Sequence, residues 1–258
     1  MSEDKNPAVE VEQLPVNQAH LVAFEEMTKA GVLYGRRHSK SNPKMKPYVY
    51  GVRGGFDVID LNATMAGIEA AQQFLKEVVK KGQSLLVVAT GPAGFASTQS
   101  FVEKYKLPSV TDRWLGGTLS NFEIISKRIS HLTSRKADKA AGKLDKYTKK
   151  ERVVIDKEIE RLTKLFGGIE VMTMLPGAVL VVDAPRHMTA IREAKRMRIP
   201  VIAIANTDTN PDMIDYLIPA NDNSVSGVSF ILGKLEQAII AGIKEKTVAA
   251  PIATKAKA

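Results

Sequence analysis

At 258 residues and 44% apolar composition the chain is long enough to bury a substantial core, which excludes a disordered polymer. It carries 37 Lys plus Arg against 28 Asp plus Glu, a net charge of +9 with a pI near 9.5, so polyanions are the default partners, nucleic acid ahead of anionic membrane. It has no Cys, which excludes disulfides, thiolate metal sites and Cys nucleophiles.

Residues 1–20 are polar and acidic, and residues 246–258, "KTVAAPIATKAKA", are low in complexity; both read as mobile tails. The start "MSEDKNPAVEVE" is no signal peptide, and no apolar run approaches the roughly 18 to 20 residues of a spanning helix, so a cytoplasmic protein without a membrane partner is expected. From Tyr34 to Gly55 the chain has Arg36, Arg37, Lys40, Lys44, Lys46 and Arg53 and no acidic residue, with Tyr34, Tyr48 and Tyr50 interleaved. Within and after it, "PYVYGV" and "FDVID" flank Arg53-Gly54-Gly55 as a hairpin, Gly being free to take positive φ. A helix follows: Ile68, Ala71, Leu75 and Val78 recur at helical spacing after an expected Asn62 N-cap and before a Lys80-Lys81-Gly82 terminus. Four compact apolar runs, Ser84 to Ala89, Pro108 to Thr111, Ala178 to Asp183 and Pro200 to Asn206, lack polar alternation, as strands buried on both faces do. Helical patterns near 95–105, 187–197 and 224–245 separate most of them, which predicts a doubly wound α/β sheet. "YLIP", Tyr216 to Pro219, adds an edge strand, because Pro219 has no N–H to offer a central ladder.

One segment breaks this rhythm. "DRWLGGTLSN", Asp112 to Asn121, holds the only Trp and a Gly pair that lets the chain turn. Ser120-x-x-Glu123 and Thr148-x-x-Glu151 match the capping box, so two helices are expected to begin there. Phe122, Ile125, Ile129 and Leu132 form an apolar stripe on the first; Ile155, Ile159, Leu162 and Phe166 form one on the second. The stripes want each other, and "KADKAAGKLDKY" between them supplies a turn, so an antiparallel helical hairpin is predicted over 120–166, with arms about 25 Å long. Between Lys127 and Lys164 there are thirteen Lys or Arg and six Asp or Glu, so most of the excess charge lies here. Trp114 is expected at the root of the hairpin, with base stacking as the alternative; Arg113 is open between a phosphate contact and a carboxylate pair.

An α/β sheet binds ligands outside the carboxyl ends of its strands, which points to "TGPAG", "DRWLGG", "DAPRH" and "NTDTNPD". Asp112, Asp183, Asp208 and Asp212 lie there, and converging carboxylates would suit a Mg²⁺-dependent phosphotransfer enzyme. Against that, "TGPAG" lacks the Gly-Lys-Ser/Thr of a Walker loop and the G-x-G-x-x-G of a dinucleotide fingerprint. The four His, His20, His38, His131 and His187, include no helical i, i+4 pair, so neither a metal nor a cofactor is expected. The basic stretch and the basic hairpin fit RNA: cations release counterions from a phosphate backbone and Tyr can stack on unpaired bases.

These motifs also carry a resemblance. "AGVLYGRRHSKSNPKMKPYVYGVRGGFDVIDL", "DRWLGGTLSN", "LTKLFGGIEVMTMLPGAVLVVDA" and "IPVIAIANTDTNPDMIDYLIPANDNS" resemble, in order, the family of bacterial-type small-subunit ribosomal protein number two, from about Met27 to Ile243. The resemblance implies a flavodoxin-like, mostly parallel sheet with a coiled-coil insertion, and a structural rather than enzymatic role in the small ribosomal subunit. It implies rRNA and neighbouring ribosomal proteins as partners, among them the large multi-domain RNA-binding one, and no autonomous homo-oligomer. The α/β domain is then divided into 21–119 and 167–245 around the insertion. RNA contacts are expected at Arg36, Arg37, Lys40, Lys44, Lys46, Arg53, Arg113, Lys127, Arg128, Arg135 and Lys136. Where the family commonly reads His-Phe-Gly-His, this chain has Leu33-Tyr34-Gly35-Arg36, so no role of those His transfers; Ala89-Thr90-Gly91 stands where Gly-Thr-Lys is usual.

Overall fold

The computed structural model describes residues 18–143 and 148–249. Most of both expected tails, and residues 144–147 of the expected turn at 136–147, lie outside the described residues. At both ends helix replaces part of the expected tail: α1 spans Gln18–Lys29, and the last helix, α7, spans Val225–Ala249.

Between them come β1 (Tyr34–Arg37), β2 (Val49–Arg53), β3 (Phe56–Ile59), α2 (Leu61–Lys80), β4 (Leu85–Val88), α3 (Pro92–Tyr105) and β5 (Ser109–Val110). Then follow α4 (Phe122–Ala140), α5 (Lys149–Phe166), β6 (Ala178–Val182), α6 (Met188–Arg196), β7 (Val201–Ala205) and β8 (Tyr216–Pro219). Five strands pair in parallel in the order β5-β4-β6-β7-β8. Counted along the chain that is 2-1-3-4-5, one of the two common doubly wound orders. Every residue of β4, β6 and β7 is buried, as their unbroken apolar runs require. Because successive side chains point to opposite faces, each strand feeds two cores. Leu85, Val87, Leu180, Val182, Ile202 and Ile204 pack with Ile68 and Leu75 of α2 and Ile231 and Leu235 of α7. Leu86, Val88, Val179, Val181 and Val201 pack with Ile191 of α6 and with the stripes of α4 (Ile125, Ile129, Leu132) and α5 (Ile159, Leu162, Phe166). Each fully buried Val, Leu or Ile contributes about 1.5 to 3 kcal/mol relative to exposure.

Local signals account for most element ends. The Gly after α2, Gly82, has φ 74, and Gly54 and Gly55 turn the β2-β3 hairpin at φ 59 and 79. Thr148 and Glu151 form the predicted capping box at the start of α5. Two expected caps differ. At α2 the cap is Asp60, whose carboxylate accepts from Asn62 N–H at 2.9 Å, two residues before the expected position. At α4 no side chain caps Asn121, and Ser120 Oγ turns instead to Glu193, 3.3 Å away. β8 is the edge strand as expected, with Pro219 opposite Ala205 of β7.

α7 also departs from the reading that no segment is long and apolar enough to cross a membrane: Val225–Lys246 passes by length and composition. Its apolar residues have another use, since Val228, Ile231, Leu232, Leu235 and Ile239 are buried in the first core. The basic stretch from Tyr34 is not an irregular loop. It contributes β1 and, after a 3₁₀ segment at Pro43–Tyr48, β2, which flank β3 in a three-stranded antiparallel sheet of order β1-β3-β2.

Candidate nucleic-acid interface

The carboxyl edge of the parallel sheet, where an α/β protein usually takes a ligand, is filled by the chain itself. At the switch between β4 and β6, His187 is 2% exposed and bridges the two strand ends. Its Nδ1 lies 2.8 Å from Asp183 O and its Nε2 2.9 Å from Thr90 Oγ1 and 3.2 Å from Thr90 N. Nδ1 therefore donates and Nε2 accepts, the pattern of a neutral imidazole; burial pushes the His187 pKa down, against the pull of the Asp183 carbonyl. Asp183, held at φ 67, pairs with Arg186 at 3.1 Å, and Arg186 lies over the N-terminus of α3, where a Cβ at Gly91 would be 3.7 Å from its Nε.

Beyond β7 and β8 the edge is closed by a residue from the antiparallel sheet. Arg36 reaches Asp208 at 3.3 Å and Asp222 at 3.1 Å, while its backbone N–H donates to Thr207 Oγ1 at 3.0 Å. Burial pushes the Asp222 carboxyl up to about 6, although the Arg36 charge and the Asn206 amide pull the other way and Asp183 and Asp208 add to the rise. Asp112 pairs with Lys164 at 3.8 Å, and Asp212 with Lys44. The four carboxylates of the phosphotransfer reading are thus each paired with a cation, Asp208 sharing Arg36 with Asp222. Among the described residues no group of three His, Asp or Glu is placed to hold a metal.

The antiparallel sheet sorts its charges by face. Asp57, 1% exposed, points inward, 2.8 Å from His38 Nδ1. Burial would raise its carboxyl, but hydrogen bonds from Ser41, His38 and Thr207 outweigh that and hold it below the usual carboxylate range. The cations fall outside: Arg37, Lys40, Lys46 and Arg53 are exposed, and among the described residues none has a carboxylate within ion-pair distance. Of the six basic residues expected here, the structure therefore leaves four facing outward and unpaired. Arg36 is engaged by two carboxylates, and Lys44 by an exposed one.

The remaining candidates divide similarly. Arg113 is exposed and has no described carboxylate partner; the neighbouring Asp112 turns to Lys164. On α4, Arg128 is exposed without a described acidic partner, and Arg135, seven residues on and so on the same helix face, meets His131 at 3.4 Å. Lys127 pairs with Glu123 at 2.7 Å and Lys136 with Glu170 at 2.5 Å. Exposed pairs such as Lys127–Glu123 contribute only about 0.3 to 0.5 kcal/mol and separate readily.

Sequence reasoning missed the group that organises "DRWLGGTLSN". Glu193 of α6, 9% exposed, accepts from Trp114 Nε1 at 3.1 Å and Gly117 N at 2.9 Å on one oxygen. Its other oxygen accepts from Leu119 N at 3.0 Å, Ser120 N at 3.2 Å and Ser120 Oγ at 3.3 Å. Trp114 is partly buried and packs against the second core, as the anchoring alternative expects. Nothing in "MTAIREAKR" distinguishes Glu193 from an ordinary solvated Glu. Phe56 was also missed, although the alternation Phe56-Asp57-Val58-Ile59 already placed Phe56 and Asp57 on opposite faces.

Comparison with known proteins gives a consistent result. The family model for Ribosomal protein S2 matches residues 27–242. The chain is similar to the "Small ribosomal subunit protein uS2" of Roseiflexus sp. (strain RS-1), 38% identical over 222 residues, 86% of this chain and 85% of that protein. It is 40% identical over 224 residues to the protein of that description from Bdellovibrio bacteriovorus, covering 87% and 72% of the two chains. To the one from Chloroflexus aggregans it is 35% identical over 234 residues, 91% and 97% of the two.

Proposed function

This chain belongs to the ribosomal protein S2 family, and on that premise we propose that it is a structural constituent of the small ribosomal subunit, holding rRNA on two basic surfaces. Its place is the cytoplasmic ribosome, and by family it is a structural protein and not an enzyme. The first surface is the outward side of the antiparallel sheet and its 3₁₀ segment, with Arg37, Lys40, Lys44, Lys46 and Arg53. The second is α4, with Lys127, Arg128, Arg135 and Lys136, and Arg113 lies near its root. The observation that carries this reading is the sorting of charge: Asp183, Asp208 and Asp222 at the sheet's carboxyl edge sit against Arg186 and Arg36, whereas Arg37, Lys40, Lys46 and Arg53 meet no carboxylate among the described residues.

α4 and α5 form an antiparallel hairpin, an arm whose root is the second core and whose outer part offers a docking site to neighbouring ribosomal proteins, among them the large multi-domain RNA-binding one. Support comes from the shared packing of the two apolar stripes and from the Lys139–Asp156 ion pair at 2.8 Å between the helices. Association that survives RNase treatment distinguishes docking on protein from docking through RNA.

The test of RNA binding is affinity for small-subunit rRNA as a function of salt. Log K falls with log salt at about −0.7 to −0.9 per phosphate contacted. Replacing Arg37, Lys40, Lys46 and Arg53 together by Gln lowers that slope by about three. A wild-type affinity independent of salt refutes the proposal.

A further inference from the structure

The outward face of the β1-β3-β2 sheet holds something that phosphate binding does not need: exposed aromatic rings. Phe56 is 47% and Tyr34 58% exposed. The pairing register places Phe56 directly opposite Arg37 on one side and Arg53 on the other. Directly opposed residues share a face, so both arginines flank Phe56 on the outward side, and the Arg37 guanidinium carbon lies 5.8 Å from the ring centroid. Alternation turns the neighbouring carboxylate, Asp57, to the interior.

Beside this ring lies a groove of about 570 Å³, lined by Tyr34, Arg37, Lys40 and Phe56 and by three Asn side chains from the ends of β7 and β8. Two of those amides are occupied: Asn206 bonds to Asp222 and Thr207, and Asn221 to Gly31 and Asn223 N–H. The third, Asn223, is exposed, and its amide has no hydrogen-bond partner among the described residues. Arg36 also lines the groove and pairs with Asp208 and Asp222, so it offsets part of the negative charge nearest the groove.

We propose that this groove takes an unpaired nucleotide of RNA, its base stacked on Phe56 and facing the Asn223 amide, its phosphate held by Arg37 and Lys40. The proposal rests on the rRNA-binding reading and sharpens it from a surface for any phosphate backbone to a site for single strands. A duplex keeps its base faces covered by their own stacking; only an unpaired base has a face to lay on the ring. An acidic protein segment is the competing occupant, and it has no use for a base-sized aromatic platform.

The experiment uses the full-length chain and measures affinity for an unstructured oligouridylate and for a blunt RNA duplex of equal length, across a salt series. Phe56→Leu is expected to lower the preference for the single strand over the duplex about tenfold. Phe56→Tyr keeps the preference, and Tyr34→Leu lowers it less. Phe56 is half-exposed, so an unchanged unfolding midpoint for Phe56→Leu ensures that the comparison is between folded proteins. A preference untouched by Phe56→Leu overturns the stacking site while leaving the phosphate surface standing. Failure of the wild type to bind either RNA overturns both.

Discussion

Replacing Glu193 by Ala removes the acceptor of five hydrogen bonds at once. Three of the donors, the Trp114 indole and the Gly117 and Leu119 amides, lie in the partly or fully buried turn and have little access to water. A hydrogen bond to a charged acceptor contributes about 1.5 to 3 kcal/mol, but bonds sharing one carboxylate are not additive, and removing it also relieves its own desolvation. The net loss is expected at about 3 to 5 kcal/mol, because three buried donors are left without an acceptor at about 1 to 3 kcal/mol each. For a chain of this size that lowers the unfolding midpoint by about 10 °C. Glu193→Gln keeps one accepting oxygen and turns an NH₂ toward the other donors, so it loses about half as much. Burial alone would raise the Glu193 carboxyl, but the bonds from Gly117, Trp114, Leu119 and Ser120 outweigh it and hold its pKa below the ordinary Glu value. Its native pKa is therefore below its unfolded one, and its stabilisation is complete above the unfolded value and lost as pH falls through the native one. The gap between wild type and Glu193→Gln should narrow below about pH 4.3. Urea unfolding followed by the fluorescence of Trp114, the only Trp, reports stability and the local environment together. A loss under about 1 kcal/mol with unchanged emission would refute the anchoring role.

Two glycines in helices should respond to Ala in opposite senses. A Cβ at Gly67 would lie 2.4 Å from the Leu217 carbonyl oxygen, so Gly67→Ala must push α2 off β8, at a cost of about 3 kcal/mol; Gly233 in α7 has nothing within 4 Å, and Gly233→Ala should gain about 0.5 to 1 kcal/mol. Equal midpoints for the two variants in urea would contradict this packing. The third prediction concerns Asp222, whose raised native pKa means a stabilisation present below its unfolded value and lost as pH rises through about 6. Asp222→Asn keeps an acceptor for Arg36 and Asn206 and removes that titration, so from pH 4 to pH 7 wild type should lose about 2 to 3 kcal/mol relative to the variant. Parallel stability profiles across that range would show that the Arg36 charge and the Asn206 amide already compensate the buried carboxylate.

Much of this molecule is legible from residue order because the relevant physics is local. The apolar runs at 84–89, 178–183 and 200–206 read as buried strands because only a strand covered on both faces omits polar alternation, and these became β4, β6 and β7. The Thr148-x-x-Glu151 box formed because both partners lie within one turn. The cation-rich, carboxylate-free stretch after Tyr34 was visible in composition, and the ordered motifs between Met27 and Ile243 carried the family.

What the sequence by itself could not determine was decided by partners far along the chain. Arg36 looks like any other member of the basic stretch until the fold brings Asp208 and Asp222 to it, the latter 186 residues away, and makes it the counter-ion of both. Ser120 has the spacing of a cap, yet its N–H and hydroxyl both donate to the carboxylate of Glu193, 73 residues on. Residue order supplies propensity and the periodicity of faces, which act within a few residues. The use of a charge depends on which opposite charge or N–H converges on it, and only the tertiary structure brings those together.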